Sequence, residues 1–143
     1  MGSVSDQIKA LTLQLEEELS KRIVEIAMDI RSELVDNPPI GTPIDTGWAS
    51  NNWWFGVGAS PAGNGGVPPA DPIAAATDVA VRASGFAEGL AQLGEYRLTD
   101  ALPIYVSNHV PYINRLNSGW SQQTPSGFIE MAIANVYIKY LRK

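Results

Sequence analysis

From Ser5 to Asn37 the chain carries Ile8, Leu11, Leu15, Leu19, Ile23, Ile26, Ile30 and Leu34 at spacings of three or four residues, and the pattern stops at Pro38-Pro39. That period predicts one continuous amphipathic helix. Proline ends it, because it lacks an amide donor and pushes the preceding residue out of helical geometry. Ser5 or Asp6 is the expected N-cap. At 1.5 Å per residue the helix is roughly 45 Å long, which exceeds the width of a domain of this size, so one end is expected to outrun its own core. Glu16, Glu17, Glu18, Glu25, Asp29, Glu33 and Asp36 outnumber Lys21, Arg22 and Arg31 on the remaining surface of this helix. They read as a solvated acidic face, or as one offered to a basic neighbour.

After IGTPIDTG, residues 40–47, the segment WASNNWWFGVG reads as a short strand that is either bulged or buried on both faces. ASPAGNGGVPPADP, residues 59–72, is too rich in glycine and proline for helix or ladder and reads as a long loop. An alanine-rich helix is expected over 72–93. Within it, Gly85 and Gly89 would each cost about 1 kcal/mol unless a neighbour packs closely against them. Residues 101–107 read as a second strand that lies at an edge or begins late, because of Pro103, and 111–117 as a short helix with Pro111 in its first turn. The last helix is expected over 126–142, with Thr124 as its cap and Lys139, Arg142 and Lys143 at its negative end. The expected fold is therefore a single α+β domain spanning 1–143. Its long N-terminal amphipathic helix and C-terminal helix pack on a small, mainly antiparallel sheet, and 59–72 forms the Gly/Pro-rich loop.

Composition excludes several chemistries. A net charge of -5 opposes sequence-independent binding to nucleic acid or anionic lipid, since counterion release needs clustered lysine and arginine. With no cysteine there is no disulfide, thiolate nucleophile or thiolate–zinc site. MGSVSDQIK lacks the features of a secretory signal and no stretch is long and apolar enough to cross a bilayer, so a cytoplasmic site of synthesis is expected. A catalytic triad would have to use His109 as base, Ser107 or Ser121 as nucleophile and Asp45 or Asp100 to orient the ring, without a nucleophile elbow. Gly56-Val57-Gly58 imitates the start of a dinucleotide fingerprint but lacks its third glycine and its helix. No catalytic residue, cofactor or metal ligand is expected. Trp48, Trp53 and Trp54 read as core, whereas Trp120, between Gly119 and Ser121, reads as exposed and suited to anchor a partner.

Two stretches carry a family resemblance. TPIDTGWASNNW, residues 42–53, resembles the T-P-[IV]-D-T-G signature, with its following tryptophan, of the tail-completion and neck proteins of tailed bacteriophages, the minor tail protein Z type. IYVSNHVPYINRLNSGWSQQTPSGFI is similar to that family's second motif through Asn108, Pro111, Tyr112, Leu116, Gly119, Ser121, Gln123, Pro125 and Gly127. His109, Asn117 and Thr124 depart from it, standing where asparagine, glutamate and alanine are usual. The resemblance implies a non-catalytic virion protein of the head–tail junction, in the neck or tail. It would be a homo-oligomeric ring, expected sixfold, that joins tail to DNA-filled capsid and touches neighbouring neck and tail proteins. DNA would pass through without specific binding, past an acidic or neutral wall, and no membrane is involved. The expected interface residues are Asp45, Thr46, Gly47, Asn108, Tyr112, Trp120, Ser121, Gln122 and Gln123. The alternative reading is a small carbohydrate- or protein-binding module that uses exposed tryptophan.

Overall fold

A computed structural model describes residues 2–36, 41–42, 49, 52–61, 79–120 and 124–142, with the backbone alone at 36 and 79–85. The first element is α1 (Val4–Asp36), an unbroken helix of 33 residues and therefore about 50 Å long. Its cap is Ser3, ahead of the expected Ser5 or Asp6. Ser3 Oγ accepts the Asp6 amide at 3.1 Å while Asp6 Oδ2 accepts the Ser3 amide at 3.2 Å, a reciprocal box that satisfies two donors at the helix start.

Strand β1 (Trp53–Val57) pairs antiparallel with β2 (Ile104–Asn108) in an unbroken register from Trp53↔Asn108 to Val57↔Ile104, so no bulge interrupts the described ladder. β1 is buried on both faces from Trp53 to Gly56. Trp53 and Phe55 face α1, packing with Leu34 and Ala27 respectively, while the pleat turns Trp54 to the opposite side. The other edge of β1 is closed by α2 (Val79–Gly94). Gln92 Oε1 accepts the Val57 amide at 3.0 Å, and Arg31 of α1 donates to the Trp53 carbonyl at 2.9 Å with its guanidinium 3.7 Å from the centroid of the Phe86 ring. A helix laid on a strand edge removes the unpaired groups that would otherwise recruit another strand. It comes this close because of Gly89: a Cβ there would lie 2.5 Å from the Phe55 carbonyl oxygen and 3.0 Å from its amide nitrogen. The neighbour that the sequence reading required at this glycine is the β1 backbone.

A 3-10 turn at Leu98–Asp100, which the periodicity did not predict, leads into β2, and the Leu98 amide donates to Ser20 Oγ at 2.9 Å. Two more helices follow. In α3 (Ile113–Asn117) Pro111 lies in the turn ahead of the helix rather than in its first turn. In α4 (Phe128–Leu141) Thr124 is not the cap; its hydroxyl donates instead to the Gly41 carbonyl at 2.8 Å, and the residue before the helix is Gly127 at φ 79°. The arrangement is α+β, with the long N-terminal helix and the C-terminal helix about a small antiparallel sheet. Residues 62–72 of the expected loop and 72–78 of the expected helix lie outside the described residues. Among the described residues, no helix is long and apolar enough to cross a membrane.

α1 and α4 run antiparallel, with Lys139 Nζ and the Tyr140 hydroxyl donating to Asp29 Oδ2 at 2.8 and 2.7 Å, and Asn135 Nδ2 donating to Glu33 at 3.3 Å. Asp29 and Glu33 are thus docking groups for α4 and Arg31 points into the fold, so these three do not belong to a solvated acidic face. The apolar stripe also divides. Ser20, Ala27 and Leu34 are buried, whereas every residue from Gly2 to Leu19 except Glu16 is exposed. The expected overrun of the core is the N-terminal half of α1.

Candidate interaction surface

The described residues of the stretches 42–53 and 104–129 meet in space. Trp53 and Asn108 are partners in the sheet register, and Asn108 Nδ2 donates to the Ala49 carbonyl at 2.8 Å. The same amide group accepts the Val110 N–H on its oxygen at 2.9 Å, a side-chain turn that ends β2 and aims the chain toward α3. Asn108 therefore spends both of its polar atoms on backbone, and its place in the candidate surface is to hold that surface in position.

The threonine that opens the first stretch has a comparable task. Thr42 is 4% exposed. Its amide and its hydroxyl both donate to the Leu34 carbonyl at 2.7 Å, and the hydroxyl oxygen accepts the Trp53 indole N–H, also at 2.7 Å. Those bonds satisfy an end carbonyl of α1 and lock the first core tryptophan to the segment that leads into the D-T-G residues. Asp45, Thr46 and Gly47 themselves, and Trp48, lie outside the described residues, as do Ser121, Gln122 and Gln123.

Asn117 joins the end of α3 to the start of α4. Its Oδ1 accepts the Ile129 amide at 3.0 Å, its Nδ2 donates to both carboxylate oxygens of Glu130 at 3.0 and 2.9 Å, and its carbonyl accepts the Gly127 amide at 2.7 Å. Donation from Asn117, followed by the residue's own backbone N–H, holds the Glu130 carboxyl below its ordinary value. The sequence reading noted Asn117 only as a departure from the family pattern. No local signal marks this role, because an N-cap stands directly before its helix whereas Asn117 closes α3 and reaches the start of α4 only in the fold.

Tyr112 is half-buried against the cluster of Leu34, Trp53 and Phe128. Trp120 alone of the described interface residues presents its side chain to solvent, at 71% exposure, with Arg115 5.1 Å from its ring centroid. Gly119, at φ 92°, supplies the left-handed turn that throws it outward. Trp53 and Trp54 are buried, which leaves Trp120 as the exposed tryptophan among the described residues.

The residues named for catalysis are partly assembled. Ser107 Oγ lies 3.4 Å from His109 Nε2, a long contact, and accepts a hydrogen bond from the Ser60 hydroxyl at 3.1 Å. The His109 ring is tilted against Trp54 with centroids 4.6 Å apart, half-buried beside the sheet. Ser121 and Asp45 lie outside the described residues. Among the described residues, no group of three histidine, aspartate or glutamate side chains could hold a metal ion.

One groove of about 530 Å³ lies between α1 and the corner after α2, lined by Leu13, Glu17, Val24, Leu93, Tyr96 and Arg97. It sits at the level where the core ends and the bare half of α1 begins. Compared with known protein families, with curated proteins and with solved structures, the chain matches none.

Proposed function

We propose that this chain is a structural, non-catalytic subunit of the phage head–tail junction, assembling as a homo-oligomeric ring around the DNA channel and joining the tail to the DNA-filled capsid. The observation that carries the reading is the N-terminal half of α1. It extends past its own core with Val4, Ile8, Leu11, Leu15 and Leu19 in the open, each about half exposed or more. A helix built with a continuous apolar stripe, of which only the second half finds cover among the described residues, has the shape of a subunit completed by its neighbours. The resemblance of residues 42–53 and 104–129 to tail-completion and neck proteins supplies the particle. The roles of Thr42 and Asn108 supply a physical reason for those motif residues: they pin the loop after α1 to the sheet.

Sugar binding on a tryptophan platform is disfavoured by the burial of Trp53 and Trp54. A quencher in solution is expected to reach Trp120, whose replacement by phenylalanine should remove most of the quenchable emission. The decisive experiment deletes the gene from the phage that encodes it and images the lysate. DNA-filled heads and separate tails should accumulate, and supplying the protein, including His109→Asn, should restore joined particles. Normal particles from the deletion, or failure of His109→Asn with the fold intact, would overturn the structural reading.

A further inference from the structure

α4 has two apolar faces. Phe128, Ala132 and Val136 are buried, yet Ile133, Tyr137 and Leu141 on the other face are 49%, 65% and 66% exposed. An apolar stripe on a helix normally faces a core, so this outer face calls for cover. The bare stripe of α1 is the second such face. At about 100° per residue, the row of Leu11, Leu15 and Leu19 points on average about a third of a turn away from Ser20, Ala27 and Leu34, which enter the core. Leu11 and Leu15 fall in line with Arg22, Asp29 and Glu33, the side along which α4 already packs, and Leu19 borders that line on the core side.

We infer that copies of this chain join head to tail, the outer face of α4 of one copy seating Ile133, Tyr137 and Leu141 on Leu19, Leu15 and Leu11 of the next, antiparallel to its α1. Both rows are spaced by four residues, so the ridge of one can enter the groove beside the ridge of the other. The seated helix continues the line of the resident α4 along α1. Charge selects this direction. The neighbour's Glu130, at the start of its α4, comes level with Arg22 and close to the resident helix's basic end at Arg142, and the two helices meet with opposite dipole ends. Reversed, two carboxyl-terminal helix ends, each with an Arg142, would confront one another. The contact uses two unlike surfaces, the requirement for a ring.

This inference rests on reading the chain as an assembly subunit, and it has its own test. The chain has no cysteine, so pairs introduced at exposed positions report contacts directly. Leu15→Cys mixed with Tyr137→Cys should give a disulfide-linked dimer under oxidation at high protein concentration. The double variant should give a ladder of multimers, and neither single variant alone should cross-link. Leu11→Cys with Leu141→Cys should also link, whereas Leu11→Cys with Ile133→Cys, the reversed register, should not. Far-UV circular dichroism checks that each variant is folded. Dimers of Leu15→Cys alone would mean that α1 pairs with α1, and no cross-link in any mixture would mean that another segment of the chain or a different protein covers the stripe. Either result overturns the proposed contact. If the deletion phage still fails to join heads to tails, the neck reading survives that loss. If the cross-links form but the deletion phage assembles normally, the contact stands and the neck reading falls.

Discussion

Replacing Thr42 by valine changes shape little and removes one oxygen. That oxygen is the acceptor for the Trp53 indole N–H, 2.7 Å away, in a site where Thr42 is 4% exposed and Trp53 likewise 4%. A buried donor left without a partner costs about 1–3 kcal/mol. The Leu34 carbonyl keeps one partner, because the Thr42 amide also donates to it at 2.7 Å. The additional methyl returns about 0.8 kcal/mol of burial, so the expected net loss is about 0.2–2.2 kcal/mol, centred on about 1 kcal/mol. For a chain of 143 residues the central value corresponds to a melting temperature lower by roughly 4 °C. Urea unfolding followed by far-UV circular dichroism measures it without relying on the tryptophan signal. The critical comparison is the same substitution in a Trp53→Phe background, where no indole N–H remains to be stranded. There Thr42→Val should cost less than about 0.5 kcal/mol, the difference being the coupling between the two side chains. Equal costs in the two backgrounds would show that the hydrogen bond does not hold this corner together.

Gly89→Ala should destabilise by about 1–2 kcal/mol although alanine is the better helix former by about 1 kcal/mol, because its methyl would press on the Phe55 backbone; unfolding midpoints decide the sign. Asn117→Ala should cost about 1 kcal/mol through the lost Ile129 cap and let the Glu130 pKa climb toward the ordinary carboxylate value, read by NMR titration, with only the residue's own backbone N–H still holding it down. Because the folded-state value of Glu130 is depressed, its contribution to stability is present above the unfolded pKa and fades as pH falls through the folded one, and the variant should show a shallower acid-side slope. Burial first, and then the hydrogen bond to Asp29, push the Tyr140 hydroxyl from 10.0 up to about 12. That raised value means the Tyr140 contribution is intact below the unfolded pKa and is lost as pH rises from there through about 12. Tyr140→Phe should therefore flatten the alkaline decline in stability, and an unchanged decline would argue against the Tyr140–Asp29 contact.

Local chemistry made much of the fold legible. The three-and-four spacing of α1, the aromatic and β-branched residues of β1 and the demand of Gly89 for a close neighbour are all short-range statements, and the structure bears each of them out; Pro38 and Pro39 lie outside the described residues. Capping was read less well: Ser3 and Gly127 stand where Ser5 or Asp6 and Thr124 were expected. A serine or threonine near a helix start can bond its own helix or a distant carbonyl, and Thr124 does the latter. In the candidate surface, Trp120 was recognisable from the polar, glycine-flanked turn around it. Asn108 was recognisable as a turn former and Asn117 was not, and their partners Ala49, Ile129 and Glu130 lie up to 59 residues away in the chain.

The order and type of the main elements, and the overrun of the first helix past its core, follow from sequence alone, because hydrophobic period, proline and helix rise act within a few residues and need no knowledge of the rest. Which part of the apolar stripe becomes core did not follow from it. Leu15 and Leu34 occupy equivalent steps of one repeat, yet the first lies in solvent and the second is buried, because a spacing of four drifts around a helix of 3.6 residues per turn and because α2, the 3-10 turn and α4 reach α1 only from about Ser20 onward. Packing between distant segments made that choice, and it left the two bare faces on which the proposed assembly depends.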